Sequence, residues 1–284
     1  LLHMEEDDDF ILAVGSGTLN DTARFLSARL HIPYGIVCTA PSMDGYASTV
    51  SPMIIDRTKI TLPGVFPKVI IADTALMKNA PMEMLHAGYG DVLGKFTALA
   101  DWNLAKEQHG EYFCGESAAL MNKALKRCTD HAAKLQERDE AAVESVTQGL
   151  LFAGIAMGLV GNSRPASGAE HHMAHFWEIA LLQANLPHPL HGNCVGAAAV
   201  VSASIYEFFP ELSHLAPNTS AIREFLHLAG CAVNPRELGI SRELFHHSVL
   251  HAMEIRDRYT ILRYGAERNR LPEIARVLTA RFYD

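Results

Sequence analysis

The chain has 284 residues, of which 49% are hydrophobic and 20% charged, and its formal net charge is -8. This length allows one large domain or two modest ones, and the apolar fraction excludes a mostly disordered chain, since such chains are poor in apolar residues. The negative charge argues against nucleic acid or an anionic membrane as the main partner. A small-molecule ligand is therefore expected.

The five cysteines are odd in number and form no Cys-x-x-Cys pair, which argues against a disulfide framework and a structural zinc ribbon. The longest apolar stretch, residues 149–161, is shorter than the roughly 20 residues of a membrane-spanning helix, so we interpret it as a core helix without membrane insertion. The acidic start LLHMEEDDD lacks the basic character of an export signal. These features predict a cytoplasmic protein.

The first 80 residues alternate strand-like and helix-like segments, which is α/β patterning. The predicted elements are strands at 10–14, 32–38 and 69–72, a helix at 19–30, and a hairpin of 50–55 and 59–62 around Asp56 and Arg57.

From Pro81 onward, helical periodicity dominates and runs of β-branched residues almost vanish. Helices are predicted at 91–108, 115–137, 140–160, 169–185, 194–208, 220–229, 241–258 and 272–282. The shift in composition predicts an α/β domain over residues 1–80 and an all-helical domain over residues 81–284.

Residues 15–21, GSGTLND, stand between a predicted strand and a predicted helix. Glycines there let the backbone approach a phosphate, and the free amides of the helix start favour an anion. The usual dinucleotide fingerprint has a third glycine where Asn20 stands, and its later acidic residue is missing. A tight turn with Thr18 or Asn20 as the helix cap is an equally good interpretation.

Residues 39–45, TAPSMDG, follow the next predicted strand. Open α/β sheets bind ligands at the carboxyl ends of their strands, although Pro, Ser, Asp and Gly are also common in plain turns. Two such loops on one edge of the sheet favour a nucleotide.

His171 and His175 lie one helical turn apart on one face of a predicted helix, and His191 follows after a proline-containing loop. Imidazoles suit a divalent transition metal, but a catalytic metal usually has three protein ligands. The third ligand is then an acid elsewhere. Asp91, which follows two glycines at a predicted helix start, is a candidate, but it could also be a simple N-cap. The spacing does not choose between Asp91, Asp101 and Glu170.

Residues 163–168, SRPASG, lead into the helix that carries His171. The Arg164 guanidinium with two hydroxyls and helix-start amides predicts a phosphate or carboxylate pocket. An ordinary helix start with Ser167 as its cap is the alternative.

Five segments occur in a characteristic order: 15–21, 39–48, 87–102, 163–178 and 191–198. Together they resemble the sn-glycerol-1-phosphate dehydrogenases, in particular their AraM-like bacterial branch. That family belongs to the superfamily of iron-containing alcohol dehydrogenases, glycerol dehydrogenases and dehydroquinate synthases. The resemblance implies a dehydroquinate synthase-like fold, with a Rossmann-like α/β domain followed by an all-α domain. Family members carry a further portion ahead of the first strand found here, so the nucleotide-binding domain is expected to be partial.

The resemblance also implies roles for individual residues. Asp91, His171 and His191 would bind one divalent metal, namely zinc, nickel or iron. Asp44 and His175, together with Asp91, would contact the substrate and form the catalytic group. The residues implied to hold NAD(H) or NADP(H) are Gly15, Gly17, Thr18, Leu19, Asn20, Asp21, Thr39, Ser42 and Ser48.

The implied reaction is the reversible, metal-dependent reduction of dihydroxyacetone phosphate by NAD(P)H to sn-glycerol 1-phosphate, in a homodimer. We add the hypothesis that Arg164 contributes to the substrate phosphate site. The alternatives are a glycerol dehydrogenase-like enzyme that acts on a non-phosphorylated polyol, and a catalytically silent, shortened homologue.

Overall fold

The structure is a computed structural model that describes residues 9–56 and 58–284. The acidic start of the chain and Arg57 of the predicted hairpin lie outside the described residues. The strands are β1 (Ile11–Gly15), β2 (Tyr34–Cys38), β3 (Val50–Ile55), β4 (Thr58–Pro63) and β5 (Val69–Ile71).

The helices of the described residues are α1 (Gly17–Leu30), α2 (Thr74–Met77), α3 (Met82–Leu93), α4 (Lys95–His109), α5 (Gly115–Asp130), α6 (Glu140–Val160), α7 (Ala169–Gln183), α8 (His191–Tyr206), α9 (Thr219–Leu228), α10 (Arg242–His251), α11 (Ile261–Glu267) and α12 (Leu271–Tyr283).

Three strands form a parallel sheet in the order β1-β2-β5, and β3 and β4 form a separate antiparallel hairpin. In the parallel sheet Gly15 lies opposite Cys38, so β1 and β2 end side by side. The predicted α/β character of this part is confirmed. Every described strand precedes residue 72, and helices α2 to α12 follow it. The division into two domains at residue 80 stays a prediction.

The predicted start of a helix at Asp91 is wrong. Asp91 lies in the last turn of α3, which meets α4 at Gly94. Gly88 and Gly90 look like helix breakers in the sequence, but both are inside α3. The tertiary packing of α3 therefore overrides the low helix propensity of these glycines.

Glycine is needed at these positions because the backbone of α3 packs directly against the backbone of neighbouring segments. A Cβ on Gly88 would lie 1.7 Å from the Pro41 carbonyl oxygen, and a Cβ on Gly192 of α8 would lie 1.8 Å from the Ala87 oxygen. No side chain fits at such separations. The glycines thus let α3 contact both α8 and the loop after β2, and this contact places Asp91 beside that loop.

Helix α6 keeps the predicted bounds and is the one described helix that is long and apolar enough to cross a membrane; half of its most apolar window is buried in the fold. It contacts the turn after β2 closely, since a Cβ on Gly154 would lie 2.6 Å from the Ala47 oxygen. This contact is that of a core helix, as the sequence predicts. The five cysteines are all free.

We expect Gly88→Ala to lower the free energy of unfolding by about 1–3 kcal/mol, because α3 or the loop must move to admit the methyl group. Gly115→Ala is the matched control, since a Cβ at this first residue of α5 meets no described atom within 4 Å. The midpoints of urea unfolding measure both effects. Equal midpoints for the two variants would contradict the close approach of α3.

Candidate active site

The two predicted phosphate-type loops lie together at the carboxyl edge of the sheet. The Thr39 amide donates to the Gly15 carbonyl oxygen at 3.0 Å, which joins the loop after β2 to the loop after β1. At the start of α1, Ser16 provides no side-chain cap. The first-turn amides of α1 therefore have no side-chain partner from Ser16, as a phosphate-binding helix start requires.

The residues implied to hold the cofactor occupy different surroundings. Thr18 and Leu19 are exposed on the first turn of α1, whereas Asn20 is buried and its Nδ2 donates to the Gly45 carbonyl oxygen at 3.4 Å. Asp21 is paired with Arg24 at 2.7 Å. Burial raises the pKa of Asp21 to about 6, and Arg24 opposes that shift.

The Ser48 Oγ accepts from the Val50 amide at 3.2 Å. Thr39 and Ser42 lie in the same loop and are partly buried. The implied cofactor residues thus lie at the end of β1, on α1 or in the loop after β2, and their cofactor role stays a prediction.

Asp91 is fully buried and forms the centre of a charged cluster. The Lys95 Nζ donates to Asp91 Oδ1 at 2.7 Å and to Asp44 Oδ2 at 2.8 Å, and the Asp44 amide donates to Asp91 Oδ2 at 3.0 Å. Burial alone would raise the pKa of Asp91, but Lys95 and His171 hold it well below its usual range. Asp91 therefore stays ionised.

The three implied metal ligands converge on one side of this cluster. His171 Nε2 lies 3.5 Å from Asp91 Oδ1, and the ring centroids of His171 and His191 are 5.2 Å apart. His175 stacks on His191 with centroids 4.8 Å apart. Ligand atoms of Asp44, Asp91 and His171 lie within 4.8 Å of one another.

The second group of residues with this spacing is His175, Glu178 and His191. The implied set Asp91, His171 and His191 combines residues of the two groups. Its metal-binding role stays a prediction.

Buried carboxylates fix the orientation of the His171 and His191 imidazoles. This support shows whether the two residues fit a metal. His171 Nδ1 lies 2.8 Å from Glu170 Oε1, and His191 Nδ1 lies 2.6 Å from Glu178 Oε1. A neutral ring that donates from Nδ1 to its carboxylate has its Nε2 lone pair available for a ligand bond. Carboxylate–histidine pairs of this kind are the usual support of metal-binding imidazoles. The residues fit a divalent metal.

His175 is held between two cations. Its Nδ1 lies 3.0 Å from the Lys59 Nζ, and its Nε2 lies 3.2 Å from Arg256 Nη2. Burial, together with the charge of Lys59, holds the pKa of His175 well below its usual range, although Glu178 raises it. His175 is therefore a neutral imidazole in this cleft.

These groups line a cleft of about 430 Å³ between the α/β part and the helices. Its walls include side chains from the loop after β2, the hairpin, α7 and the segment that precedes α11. They are Asp21, Met43, Asp44, Gly45, Ser48, Val50, Pro52, Ile54, Lys59, Thr61, Met157, Ser163, Ser167, His171, His175, Ile179, His191, Ile255 and Arg256.

Arg164 is not among the residues that line this cleft. Its Nε donates to Glu111 Oε1 at 2.6 Å and its Nη1 donates to the Tyr259 carbonyl oxygen at 2.7 Å. Of the other acids considered from the sequence, Asp101 accepts from the Ala169 amide at 2.7 Å and Glu170 supports His171. The phosphate role of Arg164 stays a prediction.

The sequence analysis missed four charged residues of the site: Lys59, Lys95, Glu178 and Arg256. Lys95 is four residues after Asp91, and Glu178 is three after His175, so helical spacing could have shown both. Lys59 and Arg256 reach His175 from distant parts of the chain, and no local pattern indicates them.

Comparison with known proteins identifies the family. The family model of iron-containing alcohol dehydrogenases matches residues 1–81. Glycerol-1-phosphate dehydrogenase [NAD(P)+] of Bacillus velezensis is 35% identical over 277 residues, which cover 92% of this chain and 70% of the relative. The chain belongs to the glycerol-1-phosphate dehydrogenase family. The family member named glycerol-1-phosphate dehydrogenase [NAD(P)+] from Methanosarcina acetivorans is 34% identical, with 94% of this chain and 72% of the relative covered.

Solved structures show the same fold. A probable glycerol dehydrogenase from Sinorhizobium meliloti superposes with a TM-score of 0.70 at 18% identity, covering 95% of this chain and 78% of that one. The predicted fold class of the glycerol dehydrogenase and dehydroquinate synthase superfamily is confirmed.

We expect Glu178→Gln to weaken zinc binding by about 10- to 100-fold, because the amide no longer supports His191 as the carboxylate does. Glu140→Gln is the control, since that carboxylate is exposed and interacts with Lys78 and Thr74 among the described residues. Zinc affinity is measured by competition with a chromogenic chelator. Equal zinc affinity in the two variants would exclude this role of Glu178.

Proposed function

We propose that this protein catalyses the reversible, NAD(P)H-dependent and metal-dependent reduction of dihydroxyacetone phosphate to sn-glycerol 1-phosphate. The names of the relatives, glycerol-1-phosphate dehydrogenase [NAD(P)+], support this reaction. The observation that supports it here is a pair of imidazoles beside the ionised Asp91. Buried Glu170 and Glu178 contact the Nδ1 atoms of these rings, so that the Nε2 atoms can face a metal.

Asp91, His171 and His191 would hold the divalent metal. A metal in this position supplies Lewis acidity toward the substrate ketone. Zinc, nickel and iron all accept this set of one carboxylate and two imidazoles. Lys95 keeps Asp91 ionised and fixed, so that the carboxylate is ready to bind a cation without a change of protonation.

The nicotinamide cofactor would lie across the loops after β1 and β2. The first-turn amides of α1 would receive a phosphate of the cofactor, and the glycines of residues 15–17 let it approach the backbone. When bound, the cofactor supplies the hydride. In the balanced reaction, the hydride adds to C2 of the ketone and a proton from water completes the new hydroxyl group.

Asp44 and His175 would orient the substrate in the cleft. The Lys59 Nζ lies 3.0 Å from His175 Nδ1. A neutral ring that accepts from Lys59 at Nδ1 carries its proton on Nε2. This N–H is then a hydrogen-bond donor for a substrate oxygen. Asp44, held by Lys95 at 2.8 Å, supplies an acceptor for a substrate hydroxyl group.

The oligomeric state and the cellular location follow the family as part of this proposal. We place the enzyme in the cytoplasm, as a homodimer, with a phosphorylated small molecule as its substrate.

The decisive test is to strip the protein of metal, restore zinc, nickel or iron, and follow NADH and NADPH oxidation with dihydroxyacetone phosphate or dihydroxyacetone. We expect turnover of the phosphorylated ketone alone, and only with metal restored. The absorbance of the reduced nicotinamide measures the rate.

Two results would overturn the proposal. Equal turnover of both ketones would indicate a glycerol dehydrogenase-like enzyme that acts on polyols. No turnover with any metal and either cofactor, from protein whose zinc affinity is intact, would indicate a catalytically silent homologue.

A further inference from the structure

Arg256 is a cleft-lining cation that neither the sequence motifs nor the metal site uses. It belongs to the short segment between the turn Ala252–Glu254 and α11, and its Nη2 lies 3.2 Å from His175 Nε2. Among residues 9–56 and 58–284, His175 is the one hydrogen-bond partner of the Arg256 side chain.

Two other cations of the site, Lys59 and Lys95, are already paired with carboxylates. Lys59 forms an ion pair with Glu178, and Lys95 lies between Asp91 and Asp44. Arg256, by contrast, has no carboxylate in salt-bridge contact within the described part of the chain. A partly buried guanidinium with five donors and no anion is a costly arrangement unless an anionic ligand completes it.

The contact of Arg256 with His175 is itself incomplete. Lys and Arg side chains are donors only, and a neutral imidazole offers one acceptor nitrogen. Because Lys59 and Arg256 face the two nitrogens of the ring, one of these contacts sets a donor against a donor. An anion that accepts from both Arg256 and His175 removes the conflict.

A buried hydroxyl group in the same cleft is a second observation that favours an anionic ligand. Ser167 lines the cleft, is 4% exposed, and its Oγ has no hydrogen-bond partner among the described residues. Arg258 holds this loop, since it donates to the Ser167 carbonyl oxygen at 2.6 Å and to Ser163 Oγ at 2.8 Å. The loop that carries the Ser167 hydroxyl group is thus held in position, and this hydroxyl group still has a hydrogen to donate.

We propose that Arg256, the His175 Nε2–H group and Ser167 Oγ form the site that binds the phosphate of the substrate. The inference rests on the proposed function and assigns its specificity for a phosphorylated ketone. Arg164, our earlier candidate, already has its charge neutralised by Glu111. Arg256 is therefore the residue that discriminates phosphorylated from non-phosphorylated substrates.

His175 contacts both Arg256 and the implied metal ligand His191. His175 lies with its ring centroid 4.8 Å from that of His191 and 6.3 Å from that of His171. A ligand whose ketone faces the implied metal ligands and whose phosphate contacts Arg256 spans the His175 ring. A small phosphorylated ketone can reach both ends.

The test compares Arg256→Gln with Arg164→Gln and with Arg223→Gln, an exposed control on α9. We expect Arg256→Gln to lower kcat/KM for dihydroxyacetone phosphate about 10- to 100-fold, mainly through KM, as the loss of a charge-assisted hydrogen bond does. Arg256→Lys keeps the charge without the fork of donors and should restore part of the loss. Arg223→Gln should match the parent protein.

Binding of inorganic phosphate provides a second readout that needs no turnover. Isothermal titration of the metal-free protein should detect phosphate, and Arg256→Gln should weaken that binding by a similar factor. If the parent binds phosphate through Arg256 but turns over neither ketone, the phosphate site stands and the proposed reaction fails. If the parent reduces dihydroxyacetone phosphate and Arg256→Gln leaves its KM unchanged, the inference is wrong while the reaction stands. A loss of affinity in Arg164→Gln alone would assign the phosphate to Arg164.

Discussion

The buried ammonium group of Lys95 controls how the α/β part meets the helices. An isolated charge in this environment would cost several kcal/mol, so Lys95 is stable there only because Asp91 and Asp44 both accept from it. Asp91 lies in the last turn of α3, Lys95 begins α4, and Asp44 belongs to the loop after β2. The three groups therefore tie the carboxyl edge of the sheet to the helical part, and the cleft takes its shape from this connection.

The same cluster explains why the site suits a cation. Lys95 brings one positive charge to the carboxylates of Asp91 and Asp44, so an excess of negative charge remains beside His171 Nε2. Glu170 and Glu178 add buried negative charge behind the two imidazoles. A divalent ion bound between these groups would compensate charges that the protein alone leaves unbalanced. The donor set and the electrostatics thus favour the same ligand.

The sequence predicted those parts of the molecule whose signals are local. The bounds of α6 and the two loops at the strand ends follow from periodicity and from turn residues close together in the chain. The position of Asp91 could not be predicted in this way, because Gly88 and Gly90 are helical only through close contacts with distant segments. Arg164 shows the same limit, since its partner Glu111 is far away in the sequence. Local pattern indicates which residue types are present, and tertiary packing decides which of them face the cleft.

The net charge of -8 suggests at first a protein unsuited to a phosphate ester. Overall charge acts at long range, where salt at physiological strength screens it within about 8 Å. Recognition of an anion depends instead on donors at hydrogen-bond distance in a partly desolvated cleft. Among the cations here, Lys59 and Lys95 balance carboxylates of the protein, so they add little attraction for a ligand. The guanidinium of Arg256 lacks such a partner, and its charge is therefore the one in the cleft that a substrate anion can neutralise.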